Sequence, residues 1–295
     1  MNWHIFGQQL WNGVLNGAIY VLFASGVSLI FGVMRVINMA HGEVAMLGAM
    51  SMYELMAKVG LGFWPSVVIT LVAAGVIGAV VNRIAVQPVV KSSQLNVLLT
   101  TLALSIVLVE GATAVLGSDT KGIKVPYRHV FHPFGLNIPM SGILVLILMV
   151  AAMTGLFLFL ARTRFGRMAR ATGENTFGAQ VVGINTRRVY DYTLALGSLL
   201  AGLAGVAVIL TSDATPTLGQ PLLLIGFATV IVAGIGSISG AVVVGMWFGI
   251  TGAMFGQYVS STYSEAYIYA TMIVVLLLWP HGLFGQRRAN PLIAA

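Results

Sequence analysis

The chain has 295 residues, of which 58% are hydrophobic and 8% are charged, and its mean hydropathy is +0.94. Soluble domains carry about 25% charged residues, so this composition excludes a soluble fold and predicts a single polytopic membrane domain over residues 1–295. The net charge of +7 is concentrated near the ends of apolar segments, where cations meet lipid headgroups, so we expect a lipid bilayer and no nucleic acid as partner. The chain has no cysteine, which excludes disulfides and thiolate metal sites.

Apolar segments predict an all-α membrane helix bundle of roughly eight to nine membrane segments, since each crossing needs about 20 apolar residues. The first segment is too long for the core of a cleaved signal peptide, so we expect it to be retained as a span. Some of the segments are short and broken by glycine. They lie near residues 10–33, 37–57, 64–85, 95–116, 141–161, 190–211, 222–235, 241–257 and 266–280.

The second segment opens with an unusually polar run that contains Asn38, His41, Gly42 and Glu43. A charged group at the centre of a membrane is costly, so such side chains usually face the bundle interior or a cavity. The run therefore predicts a polar lining for a substrate path, a proton relay or a mobile break in the helix. An interfacial turn at headgroup level, close to Arg35, is the alternative. His-x-Glu spacing puts the two side chains on different faces of a helix, so we expect no metal site.

Glu110 is the acid in the middle of the fourth segment, which makes it a second candidate for the substrate path. The alternative is a structural glutamate that bonds a neighbouring helix or reaches towards the outer surface. Asp213 and Glu265 lie near predicted outer ends of spans, where water solvates them, and we assign them no role.

Arginines are concentrated between the fifth and sixth segments, and loops this cationic stay on the cytoplasmic side. Alternation from this anchor predicts an outer N-terminus and a cytoplasmic C-terminus, with the region 117–139 outside although it carries cations. The arginines are Arg162, Arg164, Arg167, Arg170, Arg187 and Arg188. The other cations used in this prediction are Arg35, Arg83, Lys91, Arg287 and Arg288 inside, and Lys121, Lys124 and Arg128 outside.

The middle of this arginine-rich region, residues 171–185, predicts a short helix outside the membrane. Asn175 suits its N-cap, and Gly183 suits a left-handed residue at its end. The apolar residues Phe177, Val181 and Val182 would then insert into a groove on a partner protein. The alternative is a helix that lies on the lipid headgroups.

Two glycine patterns mark the last part of the chain. Residues 234–240 read Gly-Ile-Gly-Ser-Ile-Ser-Gly and interrupt the apolar sequence. Interrupted helices often mark the route of a substrate, while a tight cytoplasmic turn has the same composition. The pairs Gly13 and Gly17, Gly245 and Gly249, and Gly252 and Gly256 have the small-xxx-small spacing of closely packed helices.

Absent motifs narrow the function. The chain has no Gly-Lys pair, so it has no phosphate-binding loop, and any nucleotide must bind another subunit. It also lacks the Gly-x-Ser-x-Gly and zincin motifs, so transport is favoured over catalysis, with a membrane enzyme as the third alternative. A channel or proton-coupled carrier that works without a motor, through His41, Glu43 or Glu110, is the alternative within transport.

The sequence resembles the LivH-like integral membrane permeases of branched-chain amino-acid ABC importers over nearly its whole length. Three groups of residues carry the resemblance in the same order and spacing: residues 17–26 with Gly32 and 37–43, residues 166–185 with 197–205, and residues 234–241 with 280–285.

This resemblance implies a non-catalytic subunit in the bacterial inner membrane that moves branched-chain or other hydrophobic amino acids by alternating access. Relatives that import urea, amides or aromatic acids keep those substrates open. The implied partners are a second permease, a paralogue of this chain or another copy of it, two ATP-binding subunits that hold ATP and Mg, and a periplasmic solute-binding protein. The implied ATPase contacts are Asn175, Thr176, Phe177, Val181, Val182, Gly183, Ile184 and Asn185. The candidate path residues are Asn38, His41, Gly42, Glu43, Glu110, Gly234, Gly236, Ser237 and Gly240.

Overall fold

The computed structural model describes residues 3–90, 92–123 and 129–285, and these contain eleven α-helices. Two π-helical turns, Glu54–Lys58 and Asn82–Val86, extend α2 and α3, and two short strands, β1 and β2, precede α5. The strands are Val130–Phe131 and Ile138–Pro139. The helices are α1 Trp3–Met34, α2 His41–Tyr53, α3 Phe63–Val81, α4 Gln94–Leu116, α5 Met140–Arg162, α6 Arg164–Glu174, α7 Thr176–Val181, α8 Thr186–Thr211, α9 Gly219–Ala233, α10 Ile238–Tyr258 and α11 Ser264–Leu278.

Helices α1 and α8 form the centre of the bundle. Each is 83% buried over its most apolar 18 residues, whereas the corresponding parts of α4 and α5 are 22% and 28% buried. Glycines bring the central helices together: a methyl group at Gly26 would lie 2.7 Å from the carbonyl oxygen of Gly197. Gly48 of α2 lies equally close to Gly202 of α8. The other helices pack around this pair and turn apolar faces outward, as expected in lipid.

The glycines of the small-xxx-small pairs pack against other helices of this same chain. Gly13 and Gly17 of α1 face Met246, Gly249 and Ile250 of α10, and a methyl group at Gly249 would overlap the backbone of Gly17. Such contacts let two helix backbones approach closely, which is the main source of association between helices in a membrane. Gly252 and Gly256 instead face α11, with Ile268 and Ser264 at 3.7 and 3.5 Å from where a methyl group would be.

The helices confirm the predicted helical membrane bundle, but two predicted segments are wrong in detail. The second segment was expected from residue 37, whereas residues 36–40 are not helical and α2 begins at His41. The segment 241–257 was expected to be short, whereas α10 has 21 residues and is long enough to cross a membrane. The shorter apolar helices are α9 and α11, with 15 residues each. The number of crossings stays a prediction.

The arginine-rich region forms two helices where one was expected. Helix α6 buries Phe165, Ala169 and Thr172, and it directs Arg164, Arg167 and Arg170 to solvent, because these arginines recur every three residues. Arg170 donates a hydrogen bond of 2.7 Å to the carbonyl oxygen of Leu160, near the end of α5. Several other cations used for the orientation lie outside the described residues: Lys91, Lys124, Arg128, Arg287 and Arg288.

Replacing Gly249 by alanine should destabilise the fold by about 1–3 kcal/mol, because the added methyl group overpacks the contact between α1 and α10. The measurement is the thermal unfolding midpoint in detergent. Gly111→Ala is the matched control, since nothing lies within 4 Å of a methyl group there. Equal midpoints for the two variants would contradict the proposed tight contact.

Candidate functional site

Helix α2 begins inside the bundle. After α1 ends, the chain turns at Arg35, whose φ of 56° is unusual for a residue other than glycine, and it runs back along α1 to His41. The His41 ring lies 5.0 Å from the Phe23 ring and also packs beside Gly26. Gly26 precedes the end of α1 at Met34 by about 12 Å along the helix axis. The first turn of α2 therefore lies well within the depth of the bundle.

Helix α9 begins at the same place. A methyl group at Gly42 would overlap the carbonyl group of Gly219, the first residue of α9, and the Glu43 carboxylate borders Gly219 as well. The N-caps of these helices, Ala40 and Leu218, provide no side-chain hydrogen bond. The first N–H groups of a helix lack partners within it and carry a partial positive charge. Two helix N-termini thus meet around one buried carboxylate.

Glu43 is 2% exposed and only partly satisfied. Its Oε1 accepts a hydrogen bond of 2.9 Å from Ser105 Oγ of α4. Its Oε2 has no hydrogen-bond partner among the described residues. An ionisable group inside a membrane protein with an unused bonding capacity is a functional candidate, because evolution rarely retains such a costly group without a role.

Asn38 and His41 share a separate small cavity. Its volume is about 10 Å³, close to the space needed for one water molecule, and its other lining residues are Val27, Ile30 and Val36. Within the described chain, Asn38 Nδ2 and both ring nitrogens of His41 lack hydrogen-bond partners. His41 faces α1 and Glu43 faces α4 and α9, which confirms that His-x-Glu spacing separates the two side chains.

The remaining path candidates lie elsewhere. Gly42, Glu43, Ser105 and Gly219 form the arrangement called here the Glu43 cluster. Glu110 is exposed on α4 and is not part of it. Residues 234–237 form a turn at the far end of α9, about 21 Å from Gly219 along the helix axis, and residues 238–240 begin α10. Gly234 and Gly236 have φ values of 95° and 86°, and Ser237 Oγ accepts a hydrogen bond of 3.1 Å from the Gly240 amide as the N-cap of α10. The glycine break is thus a turn between helices, and its part in a substrate path stays a prediction.

This turn belongs to a packed surface at the Arg35 end of the bundle. Gly236 lies against Gly32 of α1, where a methyl group would be 3.1 Å from the Gly32 Cα. The C-terminal segment closes over α9, since the amides of Leu283 and Phe284 donate to the carbonyl oxygens of Val232 and Ala233 at 2.8 and 2.9 Å. The end of α9 is therefore bonded to the backbone of this chain.

The short helix α7 forms as the sequence predicts. Asn175 is its N-cap, and its Oδ1 accepts a hydrogen bond of 2.9 Å from the Gly178 amide. Gly183 follows with a φ of 83°, and Asn185 Oδ1 caps the next helix by accepting from the Arg188 amide at 3.1 Å. Phe177, Val181 and Val182 are 76%, 71% and 74% exposed. An apolar patch that the described residues leave uncovered marks an interaction surface.

Arg35 joins this region to the Glu43 cluster. Its Nη2 donates hydrogen bonds of 2.7 and 3.0 Å to the carbonyl oxygens of Gly173 and Glu174, at the end of α6. A methyl group at Gly173 would overlap the Gly32 carbonyl of α1. Arg35 thus connects the helix that leads into α7 with the linker that leads into α2.

Comparison with known proteins identifies the family. A family described as branched-chain amino acid transport system permease components matches residues 9–276. This chain belongs to that permease family. The high-affinity branched-chain amino acid transport system permease protein LivH of Escherichia coli (strain K12) is 33% identical to this permease over 300 residues, which cover 95% of this chain and 96% of the relative. BraD of Pseudomonas aeruginosa, of the same description, is 30% identical over 293 residues and 95% of each chain.

Sequence reasoning missed Ser105, Gly219 and Arg35 as members of this arrangement. Thr101 and Ser105 are four residues apart and therefore lie on one face of α4, a polar stripe that marks the buried side of an otherwise apolar helix. Thr101 Oγ1 accepts a hydrogen bond of 3.1 Å from the Met39 amide, just before α2. Nothing in the sequence around Gly219 or Arg35 indicates that these residues contact Glu43 or the end of α6.

Ser105→Ala should destabilise the permease by about 0.5–2 kcal/mol, because it leaves the Glu43 carboxylate without its hydrogen-bond donor in an apolar surrounding. A double-mutant cycle with Glu43→Ala measures this interaction through thermal unfolding in detergent. The effect of Ser105→Ala should largely vanish when Glu43 is absent. Additive effects of the two changes would show that the hydrogen bond contributes nothing.

Proposed function

We propose that this permease carries branched-chain or similar hydrophobic amino acids from the periplasm to the cytosol as one subunit of an ABC importer. The relatives LivH and BraD, named as parts of branched-chain amino acid transport systems, support this substrate class. The chain itself performs no catalysis. ATP and Mg bind to two separate ATP-binding subunits, a second permease completes the membrane part, and a periplasmic solute-binding protein delivers the substrate.

The observation that carries this proposal is the exposed apolar patch on α7, formed by Phe177, Val181 and Val182. A short capped helix with such a patch is suited to insert into a groove on a partner protein. The arginines of α6 favour the cytoplasmic side for this end of the bundle. The N-terminus of α1 then lies on the periplasmic side, and the C-terminus on the cytoplasmic side.

The Glu43 cluster is the proposed constriction of the path. Transporters often place the ends of broken helices at the depth where substrate passes, since helix N-termini attract carboxylate groups. Here α2 and α9 supply two such ends, and the helices beside them carry few fixed charges. In alternating access, ATP binding moves α7, and the helices around the path change which side is open.

Phe177→Asp or Val181→Asp should separate the permease from its ATP-binding subunits, because a charge placed in an apolar interface loses its hydration there without gaining a partner. Co-purification of the complex is the measurement. Val59→Asp, at a similarly exposed apolar residue in the loop after α2, is the control and should keep the complex intact. Unchanged co-purification of both α7 variants would refute the assignment of α7.

Arg35→Ala should weaken transport without dissolving the complex, because it removes both hydrogen bonds to the end of α6 while leaving α7 untouched. The readouts are ATP hydrolysis and amino-acid uptake by the same reconstituted importer. We expect uptake per ATP hydrolysed to fall several-fold, whereas Arg164→Ala, which alters an exposed arginine of α6, should preserve the ratio. An unchanged ratio in Arg35→Ala would rule out a coupling role.

A further inference from the structure

A polar groove lies between α1, α10 and α11, at the end of the bundle opposite to Arg35. Its volume is about 350 Å³, within the range of about 300–1,000 Å³ typical of small-molecule sites. It contains none of Gly42, Glu43, Ser105 and Gly219, and the sequence analysis treated its α10 glycines only as packing residues and gave Glu265 no role. Its α1 and α11 walls are formed by Gln9, Asn12, Asn16, Tyr20, Ser264, Glu265 and Ile268.

One face of α1 supplies most of the polar groups. Gln9, Asn12, Asn16 and Tyr20 are three or four residues apart, so they form a continuous stripe along the helix. Gln9 Nε2 donates a hydrogen bond of 2.9 Å to Gln257 Oε1 of α10 and closes one side of the groove. A stripe of amides along a membrane helix is costly against lipid, so it indicates contact with water or a polar ligand.

The α10 wall is rich in glycine, with Ala253 and Gln257 as its other residues. Gly249, Gly252 and Gly256 of α10 line the groove. A methyl group at Gly252 or Gly256 would meet other atoms only at 3.5 Å or beyond, so packing does not demand glycine at these two positions. Their lack of side chains leaves room beside the amide stripe.

Glu265 supplies the acidic group among the lining residues. It lies in the first turn of α11 and is exposed, and it forms no ion pair with the described residues. Neutral amides on one wall and a single carboxylate on another are complementary to a ligand with one anionic and one cationic group close together. A simple anion would be repelled by the carboxylate, and an uncharged solute would leave it without a partner.

We propose that this groove binds the zwitterionic head of an α-amino acid on the periplasmic side of the permease. Glu265 accepts hydrogen bonds from the α-ammonium group, and the amides of Asn12 and Asn16 donate to the α-carboxylate. The apolar side chain of the ligand lies along the glycines of α10. This inference rests on the proposed function for its substrate class and for the orientation of the groove.

The absence of cysteine from the chain permits a direct test. Ser264→Cys, at a lining residue that makes no proposed contact with the ligand, is introduced into the complete importer in liposomes, and a charged thiol reagent is added from the periplasmic side. We expect labelling of this chain that L-leucine slows about ten-fold or more, since a bound ligand covers the thiol. Val259→Cys is the control: it lies beyond the groove in the connection to α11, is 67% exposed, and should be labelled equally with and without L-leucine.

Glu265→Gln tests the ammonium contact. A hydrogen bond to a charged group is worth about 1.5–3 kcal/mol, so the L-leucine concentration needed for protection should rise about ten-fold or more. When Glu265 is present, 4-methylpentanoate, which lacks the ammonium group of L-leucine, should protect the thiol poorly. Glu265→Gln should reduce this difference between the two ligands, and Glu265→Asp should retain it. Glu54→Gln, which changes an acid that pairs with Lys58, should leave protection unaltered.

Three outcomes would overturn the proposal. If Ser264→Cys is labelled in the isolated chain but not in the complete importer, another subunit covers the groove. Labelling that L-leucine does not slow would show that no amino acid binds there. If Glu265→Gln changes neither the L-leucine concentration needed for protection nor the preference for L-leucine over 4-methylpentanoate, Glu265 does not bind the ammonium group. Failure of the proposed function is distinguished by a separate result, the absence of ATP-dependent L-leucine uptake by the unmodified importer.

Discussion

The close packing of α1 against α8 is the contact on which the rest of the bundle depends. Helix ends inside a membrane leave N–H groups that lipid cannot satisfy, so a chain tolerates them only where protein surrounds them. The two central helices provide that surrounding for the start of α2, and the approach of Gly26 to Gly197 removes the space that lipid would otherwise fill. Gly48 of α2 packs against Gly202 of α8 in the same way, so α2 is also held closely against α8. A helix such as α2 can therefore begin within the depth of the membrane only at the centre of this bundle, where protein surrounds its first residues.

Local signals made the α7 region predictable. An N-cap asparagine and a left-handed glycine act within a few residues of the helix they delimit, so Asn175 and Gly183 could be assigned from sequence and are confirmed. Phe177 is 76% exposed, which agrees with the predicted position of this helix outside the membrane. The length of the membrane segments was also readable, since about 20 apolar residues are needed for each span whatever the fold.

Tertiary contacts were not predictable in this way. The hydrogen bond between Glu43 and Ser105 joins residues on different helices, and nothing in the sequence fixes which helices are neighbours. Glu110 and Glu43 are both isolated acids in apolar segments, yet the former is exposed and the latter is buried. The amide stripe of α1 was overlooked for another reason: its members are individually ordinary, and their meaning comes from sharing one helix face.

Helix α1 relates the three regions of the permease to one another. Its N-terminal half lines the polar groove, Gly26 packs beside His41, and Gly32 lies against Gly173 of α6. Its 32 residues form one helix without a break, about 48 Å long. A helix of this length reaches from the groove near its N-terminus to the α6 contact near its C-terminus, so the two ends of the bundle share one continuous element. Phe23, which packs against His41, follows Tyr20 and Asn16 of the groove by three and seven residues, so one stripe of α1 runs from the groove to the start of α2.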